Sequence, residues 1–175
     1  MRPTIENIPQ DEFEKENLSV YLICNHQVTT GGALEELYKK TVHASSGDIN
    51  AQNMATWLDG LRQVSLQTNV KSTRACGKFG LLTTLAKMSS KVGVAIEKLP
   101  AFLKTKEDFF KERLYEAIFA VENEKQFEEA CRKQSLEFYK LGHTKKGNIT
   151  ISGFGEINLN DSKDSYTTSW EKIFG

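Results

Sequence analysis

Apolar and polar positions along the chain change rhythm several times, and each change predicts an element. Residues 18–24, LSVYLIC, are β-branched and aromatic and run into the turn-rich NHQVTTGG, which predicts a short buried strand. Leu34, Leu37, Tyr38, Thr41 and Val42 then fall on one helical stripe, stopped by Ser45-Ser46-Gly47. Asp48 or Asn50 is placed to cap a second helix, with Met54, Trp57, Leu58, Leu61 and Val64 as its inner face. Asn69 breaks that pattern, and Ser72 can cap a third helix.

In this third segment apolar residues occupy two stripes, 75, 79, 82, 86 and 81, 85, 88, 92, with Gly77, Gly80, Ser89, Ser90 and Gly93 between them. Apolar residues on most faces predict a central helix, and its two glycines predict a kink near residue 80. Pro100 closes the region. Thr105 to Asp108 has the form of a capping box, and Phe110, Arg113, Leu114, Ala117, Ile118 and Val121 follow at amphipathic spacing. Asn123 and Gln126 open a last helix with Phe127, Ala130, Cys131 and Phe138 inward and Gly142 as its stop. Residues 147–161 alternate Ile149, Ile151 and Ile157, Leu159 about Gly153-Phe154-Gly155, a two-stranded hairpin, and Trp170, Ile173 and Phe174 offer a closing seal. The expected architecture is therefore mainly α: a bundle of about five helices with a short N-terminal strand and a C-terminal β-hairpin. Residues 1–17, polar and holding two prolines, read as a mobile arm, and 18–175 as a single α-rich domain.

Composition adds limits. At 175 residues the chain can bury a core without staples. Its three cysteines, Cys24, Cys76 and Cys131, are widely spaced and suit buried thiols in a reducing compartment. The N-terminus is acidic without an apolar stretch, and no run of eighteen apolar residues is present. A cytoplasmic protein without a membrane span is the resulting expectation.

Charge changes the picture most. The chain carries 23 basic and 23 acidic residues, yet residues 60–106 hold nine cations against Glu97 alone. On a helix Lys71, Arg74 and Lys78 would fall within about 60° of one another, and Lys87, Lys91 and Lys98 within about 40°. Two basic ridges of this kind predict a non-enzymatic contact with a polyanion, RNA or DNA backbone without sequence preference, through counterion release. Phe79, Trp57 or Phe102 would supply stacking. A second reading is a non-enzymatic interaction module, an effector or adaptor such as a secreted or viral effector, docking an acidic partner surface, with homo-oligomerisation open. The bland alternative is that the basic helix faces the acidic helices 31–43 and 106–141 inside the fold, which overall neutrality favours.

Candidate chemistry is sparse. Cys76 near a helix start, flanked by Arg74 and Lys78, followed by His143 and then Asn158 or Asp161, has the order of a cysteine hydrolase. Flanking Ala75, Phe79 and Leu82 argue instead for a core thiol. His26 beside Cys24 lacks a second ligand pair at zinc spacing, so no metal and no cofactor is expected. Glu112 and Glu116 lie one helical turn apart and read as a solvated face. Gly153-Phe154-Gly155 is better explained by hairpin geometry than by a phosphate cradle.

Overall fold

A computed structural model of the chain describes residues 8–24, 50–113 and 115–159. Its centre is a sheet. Strand β1 (Ser19–Ile23) pairs antiparallel on one side with β4 (Ala117–Val121) and on the other with β5 (Phe138–Lys145). Strand β2 (Val70–Ala75) adds to β4, β3 (Gly93–Ile96) adds to β5, β6 (Ile149–Ile151) runs parallel to β3, and β7 (Gly155–Ile157) closes the row. The result is one mixed seven-stranded sheet in the order β2-β4-β1-β5-β3-β6-β7.

At β1 and β4 both faces of this sheet are covered, which is why β4 is wholly apolar and β1 nearly so. Every residue of β4, Ala-Ile-Phe-Ala-Val, is buried. Tyr21, Ile23, Ala117, Phe119 and Val121 face helices α1 (Ala51–Ser65) and α3 (Glu124–Lys133), meeting Val64, Phe127 and Cys131. Val20, Leu22, Ile118 and Ala120 face the opposite way, onto Leu81, Leu85 and Met88 of helix α2 (Gly80–Met88). Hydrophobic burial on two faces, each residue worth about 1.5–3 kcal/mol, sets the three-layer arrangement.

The five-helix bundle is thus overturned: among the described residues the chain forms a seven-stranded sheet with three α-helices. Residues 72–93, expected as one central helix, are a strand, a turn, a helix and the approach to a second strand. The apolar stretch after Thr105 is a 3₁₀ turn (Glu107–Phe109) followed by β4, the sheet's second strand in order. A fully buried strand shows no alternation, so its apolar run matches a buried helix equally well. Gly142 does not stop a helix. It lies within β5, where a Cβ would stand 1.9 Å from the Ala95 carbonyl oxygen, so only glycine lets β3 approach.

Other expectations match the observed elements. Asn50 caps α1, its Oδ1 accepting from the Asn53 amide at 3.0 Å. Asn123 caps α3 in the same way through Gln126, at 3.1 Å. The C-terminal hairpin is present as β6 and β7. The helix expected over 34–42, the seal at 170–174 and His26 lie outside the described residues. Within the expected arm, Gln10 bridges to Ser72 on the outer edge of β2 and Phe13 is fully buried in the core. Among the described residues no helix is long and apolar enough to cross a membrane.

Candidate functional site

The region where β2 passes into α2 combines left-handed backbone with a buried ion pair. Strand β2 ends at Ala75, and the Cys76 amide donates to the Glu116 carbonyl at 2.8 Å. The chain turns through Gly77 and Lys78 and enters α2 by two successive left-handed residues, Phe79 (φ 68°) and Gly80 (φ 73°). A Cβ at Gly80 would stand 2.6 Å from the Lys111 carbonyl oxygen and 2.7 Å from that of Phe109. The backbone of 109–111 therefore lies directly on the first residue of α2. The Phe79 amide donates to Glu112 Oε1 at 3.0 Å, so a carboxylate already sits at this positive helix end. Tyr115, across the same region, is also left-handed (φ 65°) and packs edge-on against Trp57 at 5.3 Å. Bulky residues in this conformation cost about 1–3 kcal/mol each, a strain that persists only where the surroundings impose it.

The loop crossing α2, residues 104–113, is held by charge. Asp108 accepts from the Lys104 and Thr105 amides at 2.9 and 2.8 Å and pairs with Lys111 at 2.8 Å. The Lys111 ammonium, with these amides, holds its carboxyl well below the usual carboxylate range. Arg113 donates to the Asp108 carbonyl at 2.9 Å, lies 5.2 Å from the centre of the Phe102 ring and reaches Glu116 Oε1 at 3.5 Å. Both members of this last pair are buried, Arg113 at 6% exposure and Glu116 at 2%. Glu116 Oε2 has no hydrogen-bond partner among the described residues. Burial raises the Glu116 pKa to about 7 even though Arg113 opposes the shift. Burial likewise pushes the Cys76 thiol well above its ordinary value, the reverse of an activated nucleophile.

Outside this loop opens a groove of about 300 Å³, lined by Leu82, Lys106, Phe109, Phe110, Phe154, Glu156 and neighbouring positions of the hairpin. Phe109 and Phe154 meet edge-on at 5.2 Å, forming an aromatic corner. Lys106 and Glu156 bring opposite charges to the apolar walls. Such a groove offers apolar aromatic walls with one cation and one carboxylate among its lining residues.

The basic residues singled out from the sequence do not converge. Lys71 is on β2 and pairs with Glu122 at 3.1 Å; Arg74, also on β2, pairs with Asp11 at 3.2 Å. Lys91 lies 3.9 Å from Glu12 and from Glu14. Lys78 stands 5.4 Å from the Phe79 ring centre in the turn, Lys87 is exposed in the last turn of α2, and Lys98 is exposed beyond β3. Among the described residues three of the six are matched by carboxylates from residues 11–14 and 122, and the six are spread over β2, the turn before α2, α2 and the segments on either side of β3. The nucleic-acid reading, which needed one helix carrying them together, is accordingly withdrawn.

Nor does a hydrolase pair form. His143 aligns with Ser19 at one end of β1, and its Nδ1 is 3.3 Å from Glu97. Cys76 lies past the Ala75–Ala117 pair at the opposite end of the sheet, three strands away. Among the described residues no group of three metal-ligating side chains gathers. Glu116, read from the sequence as solvated, is the residue that was missed. The available signal was its position immediately before an unbroken apolar run, AIFAV.

The chain shares its α/β fold with several solved structures. The chain superposes on phosphoribosylformylglycinamidine synthase II from Thermotoga maritima with a TM-score of 0.68 at 8% identity, covering 89% of this chain and 27% of that one. The Thermotoga maritima PurL complexed with ATP gives a TM-score of 0.62 at 10% identity, with 89% and 27% covered. A chain of the HypE–HypF complex gives 0.53 at 17% identity, with 85% and 54% covered. The chain thus spans about a quarter of the length of the first two neighbours and about half of the third. At these identities the likeness is one of fold. No protein-family model matches the chain, and no curated protein matches it in sequence.

Proposed function

We propose that this chain is a ligand-binding lobe of enzyme type, taking an anionic, ring-bearing small molecule of the nucleotide class in the groove beside α2. The observation that carries the reading is the groove itself: two apposed phenylalanines, a lysine and a glutamate on its rim, backed by a loop held in place by buried charge. In support, neighbours of this fold were solved complexed with ADP, ATP and AMPPCP. A volume near 300 Å³ suits a purine ring, with phosphates extending past Lys106 toward solvent. Two of the neighbours were solved as PurLQS and as HypE–HypF, which supports a role within a multi-protein enzyme.

Isothermal titration of the full chain with ATP, ADP and adenosine tests the proposal. Binding of ATP or ADP is expected, with Lys106→Ala weakening both about tenfold, the equivalent of about 1.4 kcal/mol, and leaving adenosine unchanged. Phe154→Ala is expected to weaken all three. Absence of heat for every nucleotide at millimolar concentration, or binding indifferent to both substitutions, removes the groove as the site.

A further inference from the structure

We propose that the Arg113–Glu116 pair is a proton-operated latch that holds the 104–113 loop over the first turn of α2, closed when Glu116 is ionised and released when it is neutral. The contacts form a chain from the sheet to the loop. Glu116 precedes β4, its carbonyl fixed by the Cys76 amide, so its side chain is anchored in the sheet. Its Oε1 faces the Arg113 guanidinium, and Arg113 in turn holds the Asp108 carbonyl. Asp108 gathers the Lys104 and Thr105 amides and the Lys111 ammonium. Every link between loop and sheet in this series passes through one guanidinium.

A buried arginine is tolerated only beside a counter-charge, because an unpaired buried ion costs far more than a neutral polar group. When Glu116 takes a proton, the sheet keeps a neutral carboxyl, with its unpartnered Oε2 as the site for that proton. Arg113 then loses its counter-charge and moves toward water, and the Asp108 carbonyl loses its donor.

The groups around Glu116 leave it as the titrating member. The Cys76 thiol, just past the end of β2, is pushed well above its ordinary value by burial and stays neutral. Cys24, one residue beyond the Ile23–Ala117 pair, is the corresponding thiol of β1. From α2 the Thr84 hydroxyl, which donates to the Gly80 carbonyl at 3.0 Å, faces the Cys76 thiol. Asp108 remains ionised because Lys111 and two amides hold it so. The other charges of the loop are Lys104, Lys106, Glu107, Lys111 and Glu112, the last engaged on the Phe79 amide. His143 and Glu97 sit at the far end of β5.

The loop backs the proposed groove through Lys106, Phe109 and Phe110. That consequence for ligand affinity rests on the function proposed above; the latch itself does not. Hydrogen–deuterium exchange of the full chain at pH 8 and pH 6, corrected for intrinsic rates, tests it without ligand. The amides of Lys104, Thr105, Phe109 and Phe110, all bonded here, are expected to lose about tenfold in protection at pH 6, following the ionised fraction of a group that titrates between the two. Amides of β1 and β4 serve as references and are expected to hold. In Glu116→Gln the four amides are expected to exchange as in the wild type at pH 6, at both pH values. Protection that stays level in the wild type overturns the latch, whether or not the variant folds. So does a pH response that survives in Glu116→Gln. In a second arm, ATP affinity falling at pH 6 in the wild type alone links latch to groove; no ATP binding at either pH bears on the groove only.

Discussion

The two faces of the sheet are built on different terms. Toward α1 and α3 the interior is apolar: Phe127 packs on Tyr21 at 4.8 Å and on Phe119 at 5.4 Å, and charges stay at the rim, as with Glu128 and Arg132. Toward α2 the apolar packing gives way at one end to a buried ion pair, left-handed Phe79 and a neighbouring groove. The first face stabilises the fold. The second spends part of that stability holding charge where water is excluded, the arrangement in which pKa values shift and ligands are discriminated. The contrast teaches where to look for chemistry in a chain without a recognisable motif: among the buried groups that a purely structural core would replace with leucine.

The comparison can be broken at several points. Phe127→Ala is expected to cost about 4 kcal/mol, by lost burial and the cavity left behind, with the same loss at pH 6 and pH 8. Arg113→Leu is expected to cost about 3 kcal/mol at pH 8, because it strands the Glu116 carboxylate, and visibly less at pH 6, where Glu116 is neutral. Urea denaturation at both pH values measures each; equal pH dependence in the two variants would erase the distinction between the faces.

Glu116 alone gives a smaller signal. Its folded-state pKa, about 7, lies above the ordinary 4.5, so the folded chain binds more protons between these values and stability from this group is lost as pH rises through 7. Wild type is expected to lose roughly 1–2 kcal/mol relative to Glu116→Gln between pH 6 and pH 8. A difference of the opposite sign would place the carboxylate in a favourable ionic site instead. Asn123→Ala, removing the α3 cap, is expected to cost about 1 kcal/mol without pH dependence. Asp59→Ala, which breaks an exposed pair with Arg62, is expected to change stability by under about 0.5 kcal/mol.

Local signals in the sequence located what short-range physics controls. Asn50 and Asn123 announce helix starts because their side chains bond amides three residues on, and that geometry is complete within one turn. The glycine-spaced alternation of 149–157 announces a hairpin for the same reason. The segments 70–96 and 105–121 were misread because their apolar residues are buried on more than one side. Val70 to Ala75 and Ala117 to Val121 become strands only by pairing with each other across more than forty residues of chain. The candidate site shared that fate: Glu116 and Cys76 are forty positions apart and meet only through that pairing.

What this sequence determined by itself was its caps, its hairpin, its want of an apolar run long enough to span a membrane, and the clustering of cations along 60–106. What only the tertiary structure decided was the meaning of those cations and of Glu116. Asp11, Glu12, Glu14 and Glu122 come from distant positions to pair with Arg74, Lys91 and Lys71, and one arginine is buried with one glutamate. The reason is physical: a charge takes its energy from the dielectric and the partners around it, and both are set by long-range packing rather than by neighbours in the chain.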